Sequence, residues 1–209
     1  MKLDFFEPGV VYHVFNRGNN KEDLFKEDRN YSYFLSLVKK HLLPVCDIYA
    51  YCLLKNHFHF ALRIKDYDSL PENYKRKPAL ALSNLFNAYT KAINQAYNRT
   101  GSLFQEHPHR QRVEDENYLT QLVAYIHLNP EKHRFTDDFK SYRYSSYFAY
   151  ISNKPTNLSC EYILKLFDDR TNFEYWHDLS KLYLEEKMND LYIQYLLNNI
   201  IQKVYQIPT

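Results

Sequence analysis

The sequence of 209 residues predicts an α+β fold, in which helices pack on an antiparallel sheet. Segments typical of strands and helices follow one another in its first 113 residues in the order strand, helix, two strands, helix, strand. Only 3 glycines and 17% aromatic residues are typical of a packed chain rich in helices. The β-α-β-β-α-β order is that of a ferredoxin-like sheet, and a further helix follows it.

The first strand is predicted at residues 10–15, which are β-branched or aromatic apart from one histidine. A cluster of turn-forming residues follows at 16–20. Asp28 is a candidate N-cap for the first helix, in which apolar residues recur at helical spacing until Pro44.

A β-hairpin follows, because two apolar runs at 46–54 and 58–64 are separated mainly by the turn-like pair Lys55-Asn56. The polar stretch 66–78 contains two prolines and is predicted to be a loop. One apolar face recurs at helical spacing through 79–98, which predicts the second helix.

The last strand is expected within the extended, basic segment 101–113. Asp115 then opens a third helix, which Pro130 is expected to end. We predict one domain over residues 1–150 and a helical C-terminal extension over 151–209, with a long amphipathic helix at 183–205.

Charge and hydropathy limit the function. The net charge is only +2, but residues 1–113 carry 17 basic and 11 acidic side chains, so this part could face a polyanion. No stretch approaches the roughly 18 apolar residues of a membrane span. Three scattered cysteines form no Cys-x-x-Cys pair, which predicts neither a disulfide framework nor a cysteine zinc site. We therefore expect a soluble, cytoplasmic protein.

A His-x-His pair, His57 and His59, lies in the second strand of the hairpin. Side chains alternate along a strand, so both imidazoles face one side and could hold one ion between them. Imidazole suits Mn²⁺ or Zn²⁺ better than Mg²⁺, which needs oxygen ligands as well. Alternation by chance on a half-exposed strand remains the other interpretation.

The third helix adds two polar residues, Tyr125 and Asn129, about 40° apart on its surface by helical geometry. A phenol is a weak nucleophile unless it is positioned on a phosphate whose charge a metal neutralises. Packing at the rim of the core is the alternative for Tyr125. The proline after Asn129 is expected to disturb the alignment of the pair.

Short amides and basic residues near aromatic side chains are suited to phosphate and unpaired bases. The candidates for DNA binding are Asn16, Arg17, Asn19, Arg99, Arg110 and Arg112. Ordinary solvated surface is the alternative for each of them.

Several motifs together resemble a known family, the single-tyrosine HUH transposases, and among them the REP-associated tyrosine transposases. They are YHVFNRGN at 12–19, YCLLKNHFH at 51–59, GSLFQ at 101–105, YIHLNP at 125–130 and YSSY at 144–147.

The resemblance implies a nuclease core that binds single-stranded or hairpin DNA, with His57 and His59 holding a divalent ion, Mg or Mn. It implies that Tyr125 attacks a DNA phosphate and leaves a 5′-phosphotyrosine and a free 3′-OH. Asn129 matches the third, polar metal ligand of the family. Whether one chain or a homodimer forms the active site stays open.

Two other functions are weighed against this strand transferase. A domesticated relative would bind nucleic acid without cutting it, but such a protein is expected to have lost His57, His59 or Tyr125, and all three are present. An enzyme that uses the histidines as acid and base would need a second His-x-Thr/Ser-like pair, which we do not find at a matching place.

Overall fold

The computed structural model describes residues 6–105, 107–152 and 154–182. The strands are β1 (Val11–Arg17), β2 (Cys46–Leu54), β3 (His57–Ile64) and β4 (His109–Arg112). The helices are α1 (Asp28–His41), α2 (Glu72–Lys75), α3 (Leu80–Ala96), α4 (Glu116–Lys132), α5 (Tyr147–Ile151), α6 (Cys160–Leu166) and α7, described over 170–182.

The four strands form one antiparallel sheet in the order β2-β3-β1-β4. This is the ferredoxin-like arrangement, so the predicted α+β fold class is confirmed. The predicted hairpin is present too, with Lys55 and Asn56 as its two-residue turn between β2 and β3. No described helix is long and apolar enough to cross a membrane.

The ends of β1 and β4 differ from the prediction. Asn16 and Arg17 lie in β1 and not in a turn, because they pair with Phe58 and His57 of β3. Only residues 109–112 of the predicted last strand belong to the sheet as β4.

Two helix boundaries also differ. Glu27, and not Asp28, is the N-cap of α1, because its side chain forms a reciprocal capping box with Asn30. Helix α4 continues through Pro130 to Lys132, so Asn129 keeps a helical position. A proline in the last turn costs the helix a single backbone hydrogen bond, which explains why the helix does not stop there.

Each face of the sheet has its own core. Helices α1 and α3 cover the first face, whose buried side chains include Tyr12, Phe58 and Phe60. Helix α4 covers the second face, where Ala61 and Ile126 share a core with later residues, among them Ile163 and Phe173. The domain boundary at residue 150 stays a prediction, and the helix predicted at 183–205 lies outside the described residues.

Candidate active site

The His-x-His pair lies on the second face of the sheet, the face that α4 covers. The ring centroids of His57 and His59 are 5.3 Å apart, with the ring planes 85° to each other. Phe58 and Phe60 point the opposite way into the first core. Strand alternation thus anchors β3 through its phenylalanines and leaves its imidazoles for other contacts.

Each of these imidazoles has a hydrogen-bond partner at Nδ1. The side-chain oxygen of Asn56, in the hairpin turn, lies 2.7 Å from His57 Nδ1. Because an amide oxygen only accepts, Nδ1 of His57 carries the hydrogen and Nε2 keeps a lone pair. Nδ1 of His59 lies 3.0 Å from Nε2 of His13, a buried residue of β1.

Burial keeps this group of histidines uncharged. It lowers the pKa of His13 and of His57 to about 4, and for His57 the charges of His133 and Arg17 act in the same direction. Burial lowers the pKa of His59 well below its ordinary value. Since only a neutral imidazole binds a metal, the charge state of these side chains at neutral pH permits metal binding.

Tyr125 approaches the histidines from α4. Its ring centroid is 5.8 Å from that of His59 and 6.1 Å from that of His13, both in edge-on contacts. Lys132 Nζ lies 4.7 Å from the centre of the tyrosine ring. Because Ile126 and its apolar neighbours turn one side of α4 into the second core, Tyr125 is left on the flank that faces the imidazoles.

Asn129 is fully buried one turn after Tyr125. Its Nδ2 donates to the backbone oxygen of Tyr125 at 2.8 Å, while its Oδ1 has no hydrogen-bond partner in the part of the chain that the structure describes. A buried amide oxygen without a partner costs free energy unless something binds it, and a cation is one such partner.

The donors available for a metal are therefore two imidazole nitrogens and an amide oxygen. Within the described ranges, no group of three His, Cys, Asp or Glu side chains could hold a metal ion. His133 is close to His57, with 4.9 Å between the ring centroids, but completes no such group. The chemistry of the two imidazoles fits a divalent ion such as Mn²⁺, and an oxygen ligand suits Mg²⁺.

Two cavities meet at Tyr125. The smaller, of about 450 Å³, is lined by a mixture of polar and aromatic residues: Phe15, Asn16, Arg17, Lys21, Asn56, His57, Phe58, His59, Gln105, His109, Tyr125 and His133. The larger, of about 1020 Å³, is mostly apolar and extends from His13 along α4 to Trp176 and Leu182 of α7. Asn129 lines neither cavity.

Among the predicted DNA-binding residues, Asn16 and Arg17 line the smaller cavity, and Asn19 does not. The side-chain oxygen of Asn16 accepts from the backbone N–H of Arg17 at 2.8 Å, and its Nδ2 donates to the Gln105 backbone oxygen at 3.3 Å, so Asn16 also joins β1 to the segment before β4. Gly18, which follows Arg17, has to be glycine, because a Cβ at this position would come within 1.9 Å of the Glu22 backbone oxygen.

The other three arginines do not come to this cavity. Arg99 pairs with Glu22 at 2.6 Å and donates to the Ser102 backbone oxygen at 3.2 Å. On β4, Arg110 and Arg112 pair in register with Val14 and Tyr12, whose side chains belong to the first core. They therefore lie on the sheet face opposite Tyr125. Their role in DNA binding stays a prediction.

The structure adds residues that the motif analysis did not assign to the site: His13, Lys21, Lys132 and His133. His13 has a signal in the sequence, because it lies two residues before Phe15, which pairs with His59 in the sheet, so all three share a face. The pairing of Phe15 with His59, however, depends on the register of β1 on β3, which the sequence does not reveal. Lys132 could not be assigned to the site from the sequence, because the helix was expected to end at Pro130.

Comparison with known proteins bears on the fold. No protein-family model and no curated protein matches the sequence significantly. Among solved structures, a REP-associated tyrosine transposase bound to a REP hairpin is similar, with a TM-score of 0.58 and 13% identity. The match covers 74% of this chain and 88% of that one. The chain therefore has the fold of a REP-associated tyrosine transposase.

Proposed function

We propose that the protein is a metal-dependent single-strand DNA endonuclease and strand transferase that uses Tyr125 as its nucleophile. The observation that carries the proposal is the contact of the Tyr125 ring with His59 at the point where the two cavities meet. A tyrosine beside imidazoles that could hold a divalent ion is suited to attack on a phosphate whose charge that ion neutralises.

His57 and His59 would hold a divalent ion, Mg or Mn, with Asn129 as the third ligand. The lone pair at Nε2 of His57, the neutral imidazole of His59 beside it and the unpartnered oxygen of Asn129 support this set. When bound, such an ion supplies positive charge that stabilises the phosphate during the attack.

The chain's own residues carry out the transfer. The phenolic oxygen of Tyr125 forms a bond to phosphorus while the bond from phosphorus to the 3′ oxygen breaks. The phenolic proton passes to solvent, and the departing oxygen takes up a proton to become a free 3′-OH. The product is a 5′-phosphotyrosine. Lys132, 4.7 Å from the ring centre, stabilises negative charge on the phenol as its proton leaves.

The substrate is single-stranded or hairpin DNA. The similar solved structure holds a hairpin. In this chain, Arg17 and Lys21 offer positive charge in the smaller cavity. Beside them, the rings of Phe15 and His109 stack at 4.9 Å and present an aromatic edge. Basic and aromatic side chains in one cavity suit unpaired nucleotides better than a closed duplex.

The test uses labelled DNA hairpins from the genomic neighbourhood of the gene, with Mg²⁺ or Mn²⁺, and measures cleavage and a protein–DNA adduct that survives denaturation. The wild type should form the adduct, and Tyr125→Phe should form none while still binding DNA. Tyr118→Phe is the matched control, because Tyr118 is also a tyrosine of α4 and lines only the larger cavity. Adduct from Tyr125→Phe would refute the assignment of the nucleophile. Binding without any adduct in the wild type would favour a non-cleaving DNA-binding protein.

A further inference from the structure

The geometry points to His13 as a positioning residue that fixes the tautomer and the orientation of His59. This inference rests on the proposed function, in which His59 is a metal ligand, and it adds a residue that touches neither DNA nor metal. It starts from the contact between His13 Nε2 and His59 Nδ1, which are 3.0 Å apart and buried.

The hydrogen of this contact can lie on only one of the two nitrogens. A ligand lone pair at Nε2 of His59 requires the hydrogen on Nδ1, so that His59 donates and His13 accepts. The opposite arrangement would put a hydrogen on Nε2 of His59 and block it as a ligand. With His13 as the acceptor, the contact stabilises the tautomer of His59 whose Nε2 can bind a metal.

Packing holds His13 in this role. It is only 7% exposed, and its ring lies edge to edge with that of His59, with 5.2 Å between centroids and 22° between the ring planes, as an in-plane hydrogen bond requires. Phe15 lies 4.8 Å from it on one side and Tyr125 6.1 Å on another, measured between ring centroids. A ring enclosed in this way has little freedom to turn its acceptor away from His59.

Phe15 provides a matched control. Its ring also lies beside that of His59, with 5.5 Å between centroids, but it has no polar atom. His13→Phe keeps an aromatic ring beside His59 and removes the acceptor. Phe15→Leu disturbs the packing on His59 and keeps the acceptor. His13→Gln offers an acceptor on a different side chain and serves as the conservative variant.

Two measurements test the inference, both on the full-length proteins after thermal unfolding has established that they are folded. The first is the tautomer of His59 in metal-free protein by long-range ¹H–¹⁵N NMR, with the signal assigned from a His59→Gln variant. The wild type should carry the hydrogen on Nδ1. His13→Phe should move it wholly or partly to Nε2, and Phe15→Leu should not.

The second is the affinity for Mn²⁺ by calorimetry, without DNA. It should fall about 10- to 100-fold in His13→Phe. The change should be less than about threefold in Phe15→Leu and intermediate in His13→Gln. A wild-type His59 with its hydrogen on Nε2, or equal losses in His13→Phe and Phe15→Leu, would overturn the role of His13. A wild type that binds no Mn²⁺ would instead contradict the metal dependence in the proposed function. The tautomer of His59 in the metal-free protein would still decide the role of His13.

Discussion

Two pairs of buried histidines lie on the same side of the sheet, and they differ in what their remaining nitrogens do. In the first, Nε2 of His13 and Nδ1 of His59 are 3.0 Å apart. In the second, Nδ1 of His127 and Nε2 of His177 are 2.9 Å apart. Burial lowers the pKa of all four side chains. Neither burial nor a lowered pKa therefore separates a site from a core.

The second pair forms a closed chain of hydrogen bonds. Nδ1 of His177 donates to the Phe173 backbone oxygen at 2.7 Å, and Nε2 of His127 accepts from the Ser146 hydroxyl at 2.7 Å. The Ser146 hydroxyl oxygen in turn accepts from the backbone N–H of Tyr51 at 2.8 Å. With every ring nitrogen occupied, this pair joins α4 to α7 and to β2, which stabilises the helix that carries Tyr125.

The largest effect is expected from a substitution that removes the first histidine pair. His59→Ala should lower the rate of hairpin cleavage by about a thousandfold, equivalent to about 4 kcal/mol, because a ligand of the charge-stabilising ion is lost. Single-turnover kinetics measures this rate, and calorimetry measures the accompanying loss of Mn²⁺ binding. His41→Ala, at the end of α1 on the other side of the sheet, is the control and should cleave at the wild-type rate. Comparable cleavage by the two variants would contradict a metal role for His59.

The next largest effect is expected from a substitution that removes the second histidine pair and lowers the stability of the fold. His127→Leu removes two buried hydrogen bonds and leaves Nε2 of His177 without a donor, although the Ser146 hydroxyl keeps the Tyr51 backbone as a partner; the change should cost about 3 kcal/mol in the free energy of unfolding. Urea unfolding measures it. Mn²⁺ affinity of the folded variant should stay within about threefold of the wild type. A loss of Mn²⁺ binding without a loss of stability would reverse the roles of the two pairs.

The pH dependence of stability sharpens the comparison further. Burial is the main cause that lowers the pKa of His177 to about 4; the hydrogen bond to the Phe173 backbone oxygen and the charge of Asp178 act against it, and the charge of Lys140 acts with it. The unfolded chain, with an ordinary pKa near 6.5, therefore binds protons first as the pH falls. The contribution of His177 is complete above pH 6.5 and is lost towards pH 4, about 2 kcal/mol of it between pH 7 and pH 5.

His177→Phe should remove this part of the pH dependence. We expect the free energy of unfolding, measured by urea titration at each pH, to fall by about 2 kcal/mol less between pH 7 and pH 5 than in the wild type. Identical pH profiles of the two proteins would mean that His177 is not held uncharged in the folded state.

Local patterns predicted much of this architecture from the sequence. The hairpin could be predicted because its turn, Lys55-Asn56, lies between two apolar runs, and the face of His57 and His59 follows from strand alternation alone. The contact of His13 with His59 could not, because it depends on the register of β1 on β3, which is set by residues far apart in sequence.

The sheet face on which Arg110 and Arg112 lie could not be predicted for a related reason. The segment around β4 is polar, so no apolar alternation indicates which of its side chains point to which side. The hydrogen bonds of His127 could not be predicted either, since their partners come from α7 and from the residues before α5. Sequence patterns thus located the motifs, and pairing between distant segments decided which of them meet.

The smallest expected effect compares two arginines on the two faces of the sheet. Arg17 is exposed at the end of β1 and lines the smaller cavity beside His57. Arg112 pairs with Glu7 at 3.2 Å on the opposite face. If DNA follows the cavity, Arg17→Ala should weaken hairpin binding about fivefold and lower the salt dependence of binding by about one phosphate contact. Arg112→Ala should change affinity less than about twofold, because its charge is already paired and points away from the nucleophile.

Binding titrations of both variants at several salt concentrations separate the two cases. A shallower salt slope only in Arg17→Ala would indicate that a phosphate lies at the cavity next to Tyr125. Equal slopes and equal losses in both variants would mean that the DNA also passes over the other face of the sheet. The sequence-based prediction for Arg110 and Arg112 would then hold, because a strand that wraps the sheet edge at β4 reaches both faces while its scissile phosphate remains at Tyr125.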